Sequence, residues 1–388
     1  MKHKTSFAVP LLLVAVLALF NSAYADDSDK DKLGPYKLLK TINIPEGLVG
    51  FDISWADSES GRYYLANRGN AAAVPPVGPT IDVINTKHND LLYSIPLTSA
   101  GNGVVAIGKP GDDDEQDQSG VLVVGTADSH TLFIDLAHPF ATPLSVSTGG
   151  NHRADELAYD PVDHVILIAN DQDTPAPFVS FVSTASHMVL GKIVYDGNLG
   201  NPKSTGGIEQ PVWDGKTKRF YISIPSTTAH PDGEVDEIDP VTMKITGIFP
   251  TSHFTPACHP AGLALIPGQH LITSCGDVVD IKTGLVVHTV AGVGGDEIWY
   301  NPGDERVYFG GGTDRISVSV VNGLSPYNLI TTITVGVLFS PPPTPPPPNH
   351  TAHSVAADSE LNRIYVPVSH EGVKVYTDDR DNGEGDDN

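Results

Sequence analysis

The feature of this chain that most restricts its fold is a repeated segment in which a polar turn joins two apolar runs. Its clearest copies are FDISWADSESGRYYLAN (51–67), HRADELAYDPVDHVILIAN (152–170), GIEQPVWDGKTKRFYISIP (207–225), GDEIWYNPGDERVYFGG (295–311) and HSVAADSELNRIYVPVS (353–369). Weaker copies occupy residues 102–126 and 259–274. In four copies an Arg (62, 219, 306 and 363) falls five residues after the aligned Asp or Asn. A spacing that recurs in this way indicates one structural unit used several times.

Each copy has the pattern of a β-hairpin, and two further β-rich runs follow it, such as TIDVINT and LLYSIPL after the first copy. Four strands in roughly 45 residues are typical of a propeller blade. There are seven hairpins, but only six of them are followed by a fourth strand. The run KLLKTINI (37–44) has the missing pattern. The sequence therefore predicts an all-β fold, a seven-bladed β-propeller of four-stranded blades closed by the N-terminal strand.

The repeated unit, with its Arg–Ile/Val–Tyr–Val and Ile–Asp–Val–Ile–Asn/Asp runs, resembles the YVTN-type, lactonase-like seven-bladed propellers of exported bacterial proteins. This resemblance covers nearly all of the chain after residue 25. Separately, the segment EQPVWD (209–214) resembles the Glu-Gly-Pro-Val-Trp opening of the senescence-marker and gluconolactonase propellers. In that family the Glu binds a divalent metal, which implies a metal-binding role for Glu209. Gln210 departs from the family's Gly, and no match to its Asn and Asp ligands follows.

The ends of the chain carry signals of a different kind. Lys2 and Lys4 precede an apolar run over residues 9–20, and Ala23-Tyr24-Ala25 forms a small-residue cleavage site. This pattern predicts a secretory signal peptide over residues 1–25, removed after Ala25, and a periplasmic or secreted protein. No later run is long and apolar enough to predict a membrane span.

The predicted domain organisation follows from these signals. Residues 26–35 form a flexible segment, residues 36–378 form the propeller, and residues 379–388 form a disordered acidic tail. A proline-rich stretch over 340–349 lies in the loop that enters the last blade and acts as a lid, a docking strip or a passive insertion. The acidic insertion at 112–117 is expected to be a solvated turn, since it lacks the spacing of a calcium-binding loop.

The chain is strongly acidic: 47 Asp and Glu against 23 Lys and Arg give a net charge of −24. Such a field repels nucleic acid and favours cations or basic partners, but a solvated acidic surface that keeps the protein soluble is the preferred explanation. Cys258 and Cys275 are the only cysteines. In an oxidising compartment they are expected to form a disulfide.

Propeller geometry predicts which side chains meet at the axis. The loops that enter the inner strands share one face of the disc, here called the top face. The residues expected at its channel mouth, one per blade, are Asp52, Val104, Asp155, Glu209, Ala261, Asp296 and His353. Glu156 and Glu297 follow two of them and are expected on the other face of their strands. Carboxylates with an imidazole predict a divalent metal site (Zn, Ca, Mn, Fe or Cu) formed by Glu209, Asp155, Asp296, His353 and Asp52. Nothing in the sequence indicates an organic cofactor.

Two functions are compatible with this mouth. In the first, a monomeric envelope protein binds a small molecule, a metal ion or a protein on its top face. In the second, a metal-dependent hydrolase or lyase of the lactonase type uses His259 or His152 as acid and base, while Arg153 holds a carboxylate. Structural roles for these histidines and a solvated acidic funnel are alternatives. Binding is the preferred hypothesis, because a fold shared with enzymes does not by itself carry catalysis.

Overall fold

A computed structural model describes residues 36–45, 47–108, 120–251, 258–339 and 348–378. The predicted signal peptide (1–25), the segment 26–35, the acidic insertion (112–117), most of the proline-rich stretch (340–347) and the acidic tail (379–388) lie outside these described residues. Within the described ranges, no helix is long and apolar enough to cross a membrane.

The described strands form seven antiparallel sheets of four strands each, arranged as the blades of a ring. The prediction of a seven-bladed β-propeller is therefore confirmed. The last strand in the ring comes from the start of the chain: β1 (Lys37–Ile42) pairs with β28 (Gly372–Thr377), and Ile42 lies opposite Val373. The N-terminal strand thus completes blade 7, as predicted.

The blades follow one another along the chain, and in blades 1 to 6 the strands run in sequence from the axis outwards, whereas the outermost strand of blade 7 is β1. Blade 1 contains β2 (Gly50–Asp57), β3 (Arg62–Gly69), β4 (Thr80–Asn85) and β5 (Asp90–Pro96); blade 2 contains β6 (Gly101–Ile107), β7 (Val121–Thr126), β8 (His130–Asp135) and β9 (Leu144–Ser147); blade 3 contains β10 (Leu157–Asp160), β11 (Val165–Asn170), β12 (Phe178–Ser183) and β13 (Val189–Val194). Blade 4 contains β14 (Pro211–Asp214), β15 (Arg219–Ile224), β16 (Glu234–Asp239) and β17 (Lys244–Pro250); blade 5 contains β18 (Leu263–Ile266), β19 (His270–Thr273), β20 (Asp277–Asp280) and β21 (Leu285–Thr289). Blade 6 contains β22 (Gly295–Asn301), β23 (Arg306–Gly311), β24 (Ser317–Asn322) and β25 (Leu329–Thr334); blade 7 contains β26 (Ala356–Asp358), β27 (Arg363–Val368), β28 and β1.

The core lies between the blades, because each sheet is apolar on both of its faces. The second strand of each blade is almost wholly buried, and β11 is buried at every position. Outer strands such as β17 alternate between exposed and half-buried residues. Tyr63 of blade 1 stacks on Tyr365 of blade 7, with ring centroids 4.9 Å apart. Stacking sheets around an axis therefore buries faces that one four-stranded sheet would leave in water.

The predicted disulfide is present and links Cys258 to Cys275. Cys258 lies in the segment that enters blade 5, and Cys275 follows β19 of the same blade. The bond therefore ties the entrance of the inner strand to the loop beyond the second strand, on the face that carries the channel mouth.

Candidate functional site: the acidic mouth of the channel

The channel mouth is built where the inner strands begin, and several of these strands are irregular there. The pairing register shifts between Phe51 and Ser54 in β2, between Gly101 and Val104 in β6, and between Gly295 and Ile298 in β22. Such bulges bend a strand and redirect side chains locally. They occur at the residues that contribute polar groups to the mouth.

The position predicted for blade 2 requires a correction. Counted from the strand pairing, Asn102 and not Val104 corresponds to Asp52 of blade 1. Val104 is buried in the hydrophobic cluster between blades 1 and 2. The prediction for Val104 is therefore wrong, because the long acidic insertion in this hairpin hides the register in the sequence.

Asp52 lies at the centre of one group of contacts. Its Oδ2 atom forms a very short ion pair with Arg68 and lies 3.9 Å from Nη1 of Arg153. Its Oδ1 atom lies 3.5 Å from Nε2 of His353. Arg68 also donates a hydrogen bond of 2.7 Å to Asn102. Side chains from blades 1, 3 and 7 therefore meet around one carboxylate, and Arg68 links it to Asn102 of blade 2.

Arg153 connects Asp52 to a second group of carboxylates. Its guanidinium donates two hydrogen bonds to Asp171, of 3.0 and 2.7 Å, and Nη2 lies 2.9 Å from Oδ2 of Asp155. One oxygen each from Asp155, Asp171 and Glu209 lies within 4.8 Å of the others, which is a spacing that can hold a metal ion. Arg153 therefore balances part of a three-carboxylate cluster and would compete with a cation for two of its members.

The electrostatics of the mouth favour added positive charge. Burial and the carboxylates of Asp171 and Asp296 raise the pKa of Glu209 to about 8, although Arg153 acts in the opposite direction. Burial and Asp52 also raise the pKa of Asp155 well above its usual range. For Asp296, burial raises the pKa while His353 lowers it. These shifts have the sign expected where like charges share a poorly hydrated space.

Two further carboxylates lie at this end of the inner strands. Burial and neighbouring acidic groups, including Asp155 and Glu209, raise the pKa of Glu156. Its Oε2 atom has no hydrogen-bond partner among the described residues. Glu297 accepts a short hydrogen bond from Ser354. Both residues therefore contribute to the electrostatics of the mouth, and their predicted position on the other face of their strands stays a prediction.

The structure distributes the predicted site residues between two environments. Asp52, Arg153, Asp155, Glu209, Asp296 and His353 interact electrostatically around the mouth. The imidazole of His353 also stacks on Phe51, with ring centroids 4.6 Å apart. His152 is half exposed, with Nδ1 3.8 Å from Asp173, and exposed His259 lies 3.0 Å from the carbonyl oxygen of Pro225. The close contacts of the two histidines expected to act as acid and base are therefore with Asp173 and Pro225, not with Asp155, Asp171 or Glu209.

Sequence reasoning missed two important residues of the mouth, Arg68 and Asp171. Each follows an Ala-Asn pair at the end of a second strand, in Ala66-Asn67-Arg68 and Ala169-Asn170-Asp171. Because the two blades repeat this pattern, a comparison at the strand ends could have identified both side chains. Their charges are opposite, so a search for carboxylates alone would have found only Asp171.

No protein-family model matches this chain, and no curated protein matches it. Carboxylate oxygens with an adjacent imidazole suit a divalent cation or an organic cation. The guanidinium groups hold the carboxylates in place but do not balance all of them.

Proposed function

We propose that the protein is an exported β-propeller that binds a cation at the mouth of its channel. One observation carries this proposal: Asp155, Asp171 and Glu209 bring carboxylate oxygens within 4.8 Å of one another. The buried Oε2 atom of Glu156 supports it, because this atom has no hydrogen-bond partner among the described residues and burying such a group is costly. Export is supported by the sequence of residues 1–25 alone.

A divalent metal ion is the ligand that these residues fit best. Asp155, Asp171 and Glu209 would hold it, while Arg153 would keep Asp171 oriented and His353 would remain paired with Asp52. Hard cations prefer such oxygen ligands. An ion here would attract anionic groups of a small molecule or a protein to the top face, which gives the mouth a binding role without chemistry.

Titration of chelator-treated protein with Ca²⁺, Mn²⁺ and Zn²⁺, followed by calorimetry and elemental analysis, tests this proposal. We expect Glu209→Gln to weaken binding at the mouth at least tenfold, since it removes a charged ligand. The matched control is Glu59→Gln, because Glu59 is exposed in the hairpin turn of blade 1. Equal affinities in wild type and Glu209→Gln, or no binding in the wild type, would refute the proposal.

A metal-dependent hydrolase of the lactonase type is the second candidate. The observation that favours it is the same cluster of Asp155, Asp171 and Glu209, because a metal ion held there could polarise a lactone carbonyl or acidify a bound water. A screen of lactones and esters with the metal-loaded protein separates the two functions. Turnover that Glu209→Gln abolishes would favour the enzyme, and binding without turnover would favour the binding protein.

A further inference from the structure

A second group of acidic residues lies between blades 3 and 4, away from the channel mouth. Glu234 and Asp236 are two residues apart on β16 and therefore share a face of the sheet. Ile238, on the same face, packs in the cluster that joins blade 4 to blade 3. Tyr195, which follows β13 of blade 3, belongs to this cluster as well. Glu234, Asp236 and Tyr195 are all fully buried.

This group has more polar atoms than hydrogen bonds. Within the described part of the chain, both carboxylate oxygens of Asp236, Oε1 of Glu234 and the hydroxyl oxygen of Tyr195 form no hydrogen bond of good geometry. Burial and Glu234 raise the pKa of the Asp236 carboxyl group, whereas the hydroxyl of Tyr195, which lies beside it, has a smaller, opposite effect. The other oxygen of Glu234 accepts a 3.0 Å hydrogen bond from Thr227 and makes a very short contact with Nδ1 of His230. One phenol donor does not balance two buried carboxyl groups, so the pair must be neutralised by a proton or by a cation.

Blade 1 shows how the same position is satisfied elsewhere in this protein. Asp82 lies at the position of Asp236, since the two strands have the same pairing and the same bulge one residue later. Asp82 accepts hydrogen bonds from Asn67, Thr80 and Ser94, of 2.9, 2.9 and 2.6 Å. Each of these three donors is a neighbour fixed by the strand register.

Blade 4 has none of these three donors at the corresponding positions. The residues that pair in the corresponding register are Ile224, Glu234 and Ile248, in place of Asn67, Thr80 and Ser94. Apolar side chains occupy two of the three donor positions, and a second carboxylate occupies the third. Two carboxyl groups and a phenol hydroxyl therefore lie together in one enclosed place.

We propose that Glu234, Asp236 and Tyr195 form a binding site for a divalent cation, which His230 closes towards solvent. Two carboxylates balance the charge of one divalent ion, and their oxygens with the phenol oxygen suit a hard cation such as Ca²⁺ or Mn²⁺. The His230 side chain is 28% exposed, whereas that of Glu234 is almost completely buried, so the imidazole lies at the solvent side of the site. This site is independent of the one proposed at the channel mouth.

Thermal unfolding and cation stoichiometry of the chelator-treated protein, titrated with Ca²⁺, Mn²⁺ or Zn²⁺, test this second site. We expect Asp236→Asn to abolish one binding event and its rise in melting temperature, because binding to the folded state alone stabilises it. In chelator, the same variant should melt at or above the wild-type temperature, since it removes a buried charge without a partner.

The matched control is Asp82→Asn, which changes the corresponding residue in blade 1. It should lower the melting temperature and leave cation binding unchanged, because it disturbs a satisfied network of donors. Ile248→Ser is a second variant, at a position that is 41% exposed. It restores a donor corresponding to Ser94 and should weaken cation binding by tenfold or more.

The two sites are separated by stoichiometry. Wild type should bind two ions, Glu209→Gln should retain the one between blades 3 and 4, and Asp236→Asn should retain the one at the mouth. The inference would be overturned if Asp236→Asn bound the same number of ions as the wild type with the same affinity. It would also be overturned if the wild type bound no ion beyond the one at the mouth. The second result would mean that the two carboxyl groups share a proton instead of a cation.

Discussion

At the scale of single residues, Glu209 shows how the axis of a propeller changes the chemistry of an ordinary side chain. Its carboxyl group is partly buried, and the negative charges of Asp171 and Asp296 lie close enough to oppose its ionisation. Arg153 offsets this effect only in part, because it is already bonded to Asp171 and Asp155. The raised pKa of Glu209 therefore reflects an excess of carboxylates over positively charged partners at the mouth.

The free energy of unfolding of the metal-free protein should fall as pH rises from about 4.5 to about 8. The pKa of Glu209 is near 4.5 in the unfolded chain and about 8 in the folded protein, so the folded state holds one more proton than the unfolded state in this pH range. One such proton corresponds to a slope of up to about 1.4 kcal/mol per pH unit. Denaturant unfolding across the range measures it. Glu209→Gln should reduce the slope by the contribution of one proton, because Asp155 and Glu156 also have raised pKa values, and Glu59→Gln should leave it unchanged. Identical slopes in all three proteins would contradict the prediction.

At the scale of secondary-structure elements, β1 has a role that no other strand shares. It comes from the start of the chain and completes a sheet whose remaining strands come from the end. Most of its side chains are exposed, but Ile42 is buried in the cluster between blades 7 and 1. The closure of the ring therefore combines backbone pairing with the burial of very few apolar groups.

Ile42→Ala should lower the free energy of unfolding by about 2–5 kcal/mol, because it removes buried methyl groups at the point of closure. Leu39→Ala is the control in the same strand: Leu39 is 45% exposed, and its loss should cost less than about 0.5 kcal/mol. Guanidinium unfolding monitored by tryptophan fluorescence measures both changes. Equal effects of the two substitutions would show that backbone pairing alone holds the ring closed.

At the scale of the whole molecule, acidic charge is both a surface property and a property of the axis. The chain has a net charge of −24, and its acidic side chains repel one another across the propeller. Some of these side chains are concentrated at the mouth, where hydration is reduced. The compact state therefore carries a repulsion that mobile ions can screen at the surface but less well at the axis.

Raising NaCl from about 0.01 M to about 1 M should increase the melting temperature by several degrees at pH 8, because the screening length falls from roughly 30 Å to roughly 3 Å. Near pH 4.8, the isoelectric point of the sequence, the same change should have little effect. Differential scanning calorimetry at both pH values makes the comparison. A salt response of equal size at both would exclude charge repulsion as its cause.

The sequence by itself determined the number of blades, the order of strands and the closure by the N-terminal run. These depend on local alternation and turn residues, which recur within each unit and can be compared from copy to copy. It also indicated Asp52, Asp155, Glu209, Asp296 and His353, since one residue per blade enters the channel at a fixed distance from a turn. It failed at Val104, where the insertion shifts the apparent register by two residues and Asn102 takes the position.

Only the tertiary structure decided which charges are paired and which are not. Arg153 donates a hydrogen bond to Asp171 at the top of blade 3, and Arg68 forms an ion pair with Asp52. Asp236 lacks donors of the kind that Asp82 has in blade 1. These facts depend on distances of a few ångströms between side chains far apart in the chain. Electrostatic energy changes steeply over such distances, and the sequence pattern of a repeat specifies strands but not the partners of each charged atom.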